Sequence, residues 1–246
     1  MIEKNIEIIA LIYQSLDYLE FISEQMNSYL CKADGWKVGT RIVANNATPE
    51  VVKALRDCKI NYNIYLDPRP EEYYINRVYR CHNYAAKTSA YDNICFINSD
   101  ILMSPDWLEN LLRHHDGRNI PVSRLVESGK MPTADGRHGV NIYFGSHPKN
   151  IQYNEWLEFS KQMQEPTTLP GGLLGPVVFE KSRFMEAGMY PEGNIYADGV
   201  GTCNGQVLNT SDVFFFKEIL ENKFGMQHIT VCDSICYHIQ EGEKDA

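Results

Sequence analysis

The sequence predicts an α/β fold with a mostly parallel, doubly wound sheet. Three observations predict it. Short apolar runs alternate with amphipathic segments over about the first 115 residues, a pattern typical of parallel sheets covered by helices. Turn-forming residues directly follow several of these runs. The chain has 246 residues, of which 43% are hydrophobic and 22% charged, as in a globular protein large enough to bury its own core.

The apolar runs of the first half predict four strands, because each run is short and ends at polar or turn residues. These runs occupy residues 6–12, 41–44, 61–66 and 93–97. Helices are predicted between them from apolar residues at three- and four-residue spacing or from capping residues. The helices cover residues 16–29, a segment that begins at Thr48-Pro49, residues 76–90 and a segment capped by Ser104-Pro105.

The second half of the chain contains fewer regular segments. We predict strands at residues 177–179 and 227–232 and a helix at 211–223, with Tyr237-His238 just beyond the last strand. The glycine-rich stretch 193–205 predicts either a lid over a site or a passive loop. No repeat or flexible linker divides the chain. We therefore interpret residues 1–246 as one domain, with a regular half over about 1–115 and an elaborated half over about 116–246.

Composition argues against several classes of protein. Lys and Arg number 23 against 32 Asp and Glu, and a net charge of -9 argues against a nucleic-acid partner. The seven cysteines form no C-x-x-C pair, which favours a reducing compartment. The sequence has no signal-peptide layout and no stretch of ~18 apolar residues. We expect a cytoplasmic protein without a transmembrane segment and with at most peripheral membrane contact.

The usual glycine-rich phosphate loops are missing from the sequence. Neither G-x-G-x-x-G nor G-x-x-x-x-G-K-[ST] occurs, and G-x-S-x-G is also absent. A phosphate-bearing ligand would therefore need another source of positive charge, and a divalent metal is the obvious candidate.

The segment Asn98-Ser99-Asp100 follows a predicted buried strand. Ligands of parallel α/β sheets bind at the carboxyl ends of the strands, where a carboxylate can hold Mg²⁺ or Mn²⁺. The alternative is a simple turn, because all three residues favour turns.

The residues around this corner resemble the GT-A glycosyltransferases, specifically the large inverting family 2. Members of that family commonly show a strand ending in D-x-D or N-x-D, then an apolar stretch, a proline and W-L-x-x-L-L. The corresponding residues are Asn98-Ser99-Asp100, Pro105, Trp107-Leu108 and Leu111-Leu112. Further residues match family positions in the right order over about residues 5–240. They are Tyr13, Asn45-Asn46, Asn83 (seventeen residues before Asp100), Ser211-Asp212 and Tyr237-His238.

The resemblance implies metal-assisted, inverting transfer of a sugar from a nucleoside-diphosphate sugar, a UDP- or GDP-sugar, to a glycan or small-molecule acceptor. Residues 1–115 would bind the nucleotide sugar, and the second half would face the acceptor. Asp100 and His238 would be metal ligands, and an imidazole ligand favours Mn²⁺ over Mg²⁺. Asp212 would be the general base that takes the proton of the acceptor hydroxyl. The implied donor-binding residues are Tyr13, Gln14, Asn45, Asn83, Asn98 and Ser99.

Several of these residues also have an ordinary structural interpretation. Asp212 is also a first-turn acid that the helix dipole would favour, and His238 could be an ordinary half-buried histidine. Arg77, Arg80 and His82 are candidate phosphate contacts, although we expect at least two of them to be simply solvated.

The sequence departs from the family pattern at three positions. Asn98 replaces the first Asp of D-x-D, Asn45 replaces an Asp that contacts the base, and Leu11 replaces a Pro. These changes motivate an alternative function, a protein that binds a nucleotide sugar or a glycan without turnover. A nucleotidyltransferase is a third hypothesis, but it requires a glycine-rich, lysine-containing loop after the first strand, and residues 13–17 do not supply one.

Overall fold

The computed structural model describes residues 4–69, 74–130, 134–192, 202–203, 206–207, 211–240 and 242–245. Most of the glycine-rich stretch interpreted above as a lid or loop lies outside these ranges. Among the helices described, none combines the length and the apolar character that crossing a bilayer requires.

The described residues form a ten-stranded sheet and a separate two-stranded ribbon. The strands of the large sheet are β1 Lys4–Ile12, β2 Trp36–Asn45, β3 Asn61–Tyr65, β4 Asn93–Asn98, β5 Ile101–Met103, β6 Asn119–Glu127, β7 Gly139–Asn141, β8 Thr168–Pro170, β9 Val177–Glu180 and β12 Gln227–His238. The ribbon consists of β10 Thr202–Cys203 and β11 Gln206–Val207.

Within the described ranges there are seven helical segments and three short 3₁₀ turns, the last of which follows the final strand. The helices are α1 Leu16–Met26, α2 Pro49–Leu55, α3 Tyr74–Thr88, α4 Trp107–Arg113, α5 Tyr153–Met163, α6 Lys181–Glu186 and α7 Ser211–Phe214, which continues as π-helical turns over Phe215–Lys223. The 3₁₀ turns are Tyr29–Cys31, Pro148–Asn150 and Gly242–Asp245.

The strand order is β3-β2-β1-β4-β9-β6-β12-β5, with β7 beside β6 and β8 beside β12. The four strands predicted in the first half pair in parallel around β1 and β2. β6 and β12 are also parallel, whereas β9, β5 and β8 join the sheet in antiparallel fashion. The predicted α/β fold with a mostly parallel sheet is confirmed.

Both faces of the sheet are covered by helices. Along β1, Ile8 and Ala10 belong to a core cluster that includes side chains of α1, α2 and α4. Ile9 and Leu11 point to the opposite face and join a cluster that includes side chains of α3, α6 and α7 with its π-helical turns. Because successive side chains of a strand alternate between faces, a strand buried on both sides reads as a continuous apolar run, as residues 6–12 do.

The structure confirms one of the two predicted helix caps. Ser15 accepts a hydrogen bond from the Tyr18 amide at the start of α1, and Thr48 caps α2 with Pro49 in its first position. The prediction that Ser104-Pro105 caps α4 is wrong. The amide of Ser104 donates to the carbonyl of Ile235 and so extends strand pairing by one residue, and α4 is instead preceded by Asp106 in the left-handed conformation (φ 62°).

The predicted end of the last strand is also wrong. β12 does not end at Cys232 but continues to His238 through an irregularity between Val231 and Ile235. The polar residues there look like a turn in the sequence, yet they are buried and bonded. The Ser234 hydroxyl donates to the carbonyl of Trp107 at 2.7 Å, and the Asp233 carbonyl accepts from Asn110 at 2.7 Å.

Candidate functional site

A cavity of about 570 Å³ opens at the carboxyl ends of β1, β2 and β4. β1 lies between β2 and β4, and all three run in parallel, so their ends meet at one edge of the sheet. Seven of the eight residues that the resemblance assigned to the donor or the metal line this cavity. They are Tyr13, Gln14, Asn45, Asn98, Ser99, Asp100 and His238.

Asp100 and His238 lie side by side, with 3.2 Å between the Asp100 Oδ2 and the His238 Nε2. The continuation of β12 produces this contact, because it pairs His238 with Ile101 of β5, the residue that follows Asp100. The amide of Ile239 donates to the carbonyl of Asp100 at 3.0 Å and fixes the corner against the end of β12.

The other ring nitrogen of His238 contacts Glu127, a residue that the sequence analysis did not identify. The distance between the His238 Nδ1 and the Glu127 Oε2 is 2.8 Å, and Glu127 is only 2% exposed. Burial alone would lower the pKa of His238, but the carboxylates of Asp100 and Glu127 raise it to about 10. In the absence of a metal, the two carboxylates therefore favour the protonated ring, and a cation bound at the Nε2 would displace that proton.

This donor set fits a divalent cation. Asp100 offers a carboxylate oxygen and His238 an imidazole nitrogen at the wall of the cavity, and Glu127 orients the ring through its other nitrogen. In the ranges that the structure describes, no group of three or more His, Cys, Asp or Glu side chains is arranged to hold a metal. A bound ion would therefore take its remaining ligands from a phosphate-bearing ligand and from water, as Mg²⁺ commonly does.

A second carboxylate that the sequence analysis missed lies in the same cavity. Glu243, in the turn Gly242–Asp245, accepts hydrogen bonds from the backbone amides of Tyr13, Gln14 and Ser15. It also accepts a hydrogen bond from the Ser99 hydroxyl at 3.0 Å. No local sequence pattern pointed to this contact, because the partners are separated by more than 140 residues.

Three basic residues of α3 have different environments. Arg77 lines the cavity, with its guanidinium carbon 3.9 Å from the centre of the Tyr13 ring. Arg80 is buried and pairs with Asp67, and His82 is buried with its ring stacked 4.4 Å from that of Phe96. The expectation that at least two of these residues are solvated is wrong, because Arg80 and His82 are packed into the protein.

Asn83 and Asp212 do not line the cavity. The side chain of Asn83 forms hydrogen bonds with both backbone groups of Tyr190, at 2.7 Å and 3.0 Å. The carboxylate of Asp212 accepts from the Val213 amide at 2.8 Å. Burial, with a smaller effect from Asp212, raises the pKa of the Tyr190 hydroxyl. Both residues therefore lie near Tyr190, and their functional roles stay predictions.

Asn45 and Asn98 stand where the resembled family carries acids. Asn45 is buried, with its side-chain nitrogen 3.4 Å from the carbonyl of Arg77. Asn98 is exposed at the wall of the cavity. An amide donates as well as accepts hydrogen bonds, so both positions present donors that a carboxylate lacks.

Neither protein-family models nor curated proteins match the sequence. Solved structures do match. GalNAc-T7 in complex with UDP, GalNAc and Mn²⁺ is similar over 98% of this chain, with a TM-score of 0.59 and 11% identity. The mannosyltransferase PcManGT from Pyrobaculum calidifontis, in complex with GDP-Man and Mn²⁺, matches over 97% with a TM-score of 0.56 and 15% identity. S. aureus TarS 1-349 in complex with UDP-GlcNAc matches over 97% with a TM-score of 0.54 and 15% identity.

The chain has the GT-A fold. The matching GT-A structures are longer, because this chain covers 45% of GalNAc-T7, 58% of PcManGT and 61% of the TarS fragment. At such low identity the likeness establishes the fold alone.

Proposed function

We propose that this chain is a glycosyltransferase that moves a sugar from a nucleoside-diphosphate sugar to the hydroxyl of a glycan or small-molecule acceptor. The observation that carries the proposal is the contact of Asp100 with His238 in a cavity at the carboxyl ends of β1, β2 and β4. The fold supports it, because similar structures are complexes with UDP, UDP-GlcNAc or GDP-Man. The unpaired cysteines within the described ranges are consistent with action in the cytoplasm.

The donor would lie along the strand ends. Tyr13, Gln14 and Asn45 would contact the nucleoside of a UDP- or GDP-sugar, and Arg77 adds a positive charge next to Tyr13. Asn98 and Ser99 would contact the donor beside Asp100.

Asp100 and His238 would hold Mn²⁺ or Mg²⁺. When bound there, the ion would supply Lewis-acid neutralisation of the departing diphosphate. Glu127 is a positioning residue in this proposal, since it accepts from the His238 Nδ1 and leaves the Nε2 directed towards Asp100.

Asp212 would act as the general base. In this reaction the acceptor oxygen attacks the anomeric carbon, the bond to the diphosphate breaks, and the hydroxyl proton passes to the Asp212 carboxylate. Attack opposite the leaving group inverts the anomeric centre. Asn83 would support the site through its hydrogen bonds to Tyr190, near Asp212.

A panel of nucleotide sugars with Mn²⁺ tests the proposal through release of nucleoside diphosphate. We expect release by the wild-type protein and loss of release in Asp212→Asn with donor binding retained. The matched control is Asp106→Asn, because Asp106 is exposed, outside the cavity, and in the left-handed conformation that Asn tolerates. Equal release by Asp212→Asn and the wild type would remove Asp212 from the role of base.

The second candidate function is binding of a nucleotide sugar or glycan without turnover. The amides at Asn98 and Asn45 favour it, because the site has fewer carboxylates than the family pattern. Binding of a donor with no release under any acceptor condition would support this function over catalysis.

A further inference from the structure

The carboxylate of Glu243 is bound by a cluster of donors at the start of α1. Its Oε2 accepts from the amides of Gln14 at 2.6 Å and Ser15 at 2.7 Å. Its Oε1 accepts from the amide of Tyr13 and the hydroxyl of Ser99, both at 3.0 Å. In addition, the side chain of Gln14 donates to the carbonyl of Glu243 at 2.8 Å.

These contacts supply an acceptor for three backbone amides between the end of β1 at Ile12 and the first residue of α1 at Leu16. The dipole of α1 favours a negative charge in front of its first turn. Hydrogen bonds to an ionised acceptor are roughly twice as strong as neutral ones. The contact with Glu243 is therefore a specific, charge-assisted attachment of the turn Gly242–Asp245 to the end of β1.

The same turn also packs against the candidate metal ligand. A Cβ atom added to Gly242 would lie 3.2 Å from the Asp100 Oδ2, and Gly242 has a φ of +49°. A larger residue at this position would be both strained and crowded. The turn therefore contacts both Asp100 and the loop after β1, and Gly242 and Glu243 line the wall of the cavity.

We propose that Glu243 occludes the donor pocket in cis and that a nucleotide must displace it to bind. The inference rests on the proposed function for the identity of the ligand. Three of the four residues that bind the Glu243 carboxylate, Tyr13, Gln14 and Ser99, are also assigned to the donor, so the carboxylate and the donor compete for them. The fourth residue is Ser15. The negative charge of Glu243 also repels a diphosphate that approaches Asp100. Displacement of the turn would free the amides of Tyr13 and Gln14 and the hydroxyl of Ser99 for the nucleotide.

Calorimetric titration with UDP or GDP in the presence of Mn²⁺ tests the competition. We expect Glu243→Gln and Glu243→Ala to bind the better of the two nucleotides at least about tenfold more tightly than the wild type. The matched control is Glu158→Gln, which removes the same charge from an exposed position on α5 outside the cavity. Equal or weaker binding by both Glu243 variants, compared with the wild type and the control, would overturn the proposal.

Amide hydrogen exchange at residues 13–15 gives a second readout that needs no nucleotide. We expect faster exchange at these amides in both Glu243 variants, because their acceptor is weakened or lost, and unchanged exchange in Glu158→Gln. If no nucleotide binds any variant while exchange accelerates, the donor assignment and the occlusion both fail, and only the contact of Glu243 with these amides stands. If nucleotides bind the wild type and the variants equally, the occlusion fails and the donor assignment stands. Unchanged exchange without any binding would overturn both.

Discussion

At the scale of single residues, the site depends on a histidine held between two carboxylates. His238 contacts Asp100 through one ring nitrogen and Glu127 through the other. A carboxylate behind a ligating histidine fixes the orientation of the ring and raises its basicity. Glu127 therefore acts on a bound metal only through His238.

We predict that Glu127→Gln weakens Mn²⁺ binding about tenfold and Glu127→Ala more, within the ~10–100-fold range typical of such outer partners. Gln retains an acceptor for the His238 Nδ1 but loses the charge, whereas Ala loses both. Titration of Mn²⁺ in the presence of UDP or GDP measures the change, with Glu165→Gln as a control at a mostly exposed glutamate. Wild-type affinity in Glu127→Ala would show that Glu127 does not position His238.

A second residue-scale prediction concerns His82 and pH. Burial lowers the pKa of His82 to about 3, and within the described residues neither ring nitrogen has a hydrogen-bond partner. Below the unfolded value of ~6.5, the unfolded chain binds a proton that the folded protein excludes, so stability decreases as pH falls.

His82→Leu should reduce this dependence. When the pH falls from 7 to 5, we expect the free energy of unfolding of the variant to decrease by about 2 kcal/mol less than that of the wild type. The size follows because one buried neutral histidine costs ~1.4 kcal/mol for each pH unit below 6.5. Urea unfolding at the two pH values measures the difference. If the free energy of unfolding decreased by the same amount in the variant and in the wild type, His82 would not be buried in its neutral form.

The sequence identifies some residues of the site better than others. Asp100 follows a strand that can be predicted from its apolar run, and the resemblance adds His238 through its position in the order of family motifs. Glu127 and Glu243 carry no such signal, because their partners are distant in the chain. The only hint that the sequence offers for Glu127 is its place directly after the apolar residues Leu125 and Val126.

At the scale of elements, β12 shows why boundaries are hard to predict. Its central polar residues look like a turn, but the hydroxyl of Ser234 is buried between Trp107 and Ser123. Side chains that normally favour turns thus form their hydrogen bonds with residues distant in the chain. The strand continues as a result and delivers His238 to the site.

We predict that Ser234→Ala destabilises the protein by about 1–3 kcal/mol, because the buried hydroxyl of Ser123 and carbonyl of Trp107 lose a partner. Urea unfolding measures the loss. Ser182→Ala removes an exposed hydroxyl on α6 and should stay within ~0.5 kcal/mol of the wild type. An equally small effect of Ser234→Ala would show that this contact does not support β12.

At the scale of the whole molecule, the sheet brings distant segments to one edge. The alternation of strands and helices in the first half can be predicted from the sequence, because β1 and its parallel neighbours are buried apolar runs. The positions of β5 and β9 are not readable, since they join the sheet in antiparallel fashion far from their neighbours in sequence. The pairing of β12 with both β5 and β6 is what unites Asp100, Glu127 and His238.

The central claim is that Asp100 and His238 hold a divalent cation that a nucleotide completes. A crystal grown with Mn²⁺ and UDP or GDP, measured for the anomalous scattering of manganese, tests it most directly. We expect an anomalous peak for a manganese ion bound by the Asp100 carboxylate and the His238 Nε2, with diphosphate oxygens as further ligands. We also expect Glu243 to be displaced from the amides of residues 13–15. A nucleotide bound in the cavity with no manganese beside Asp100 would contradict it.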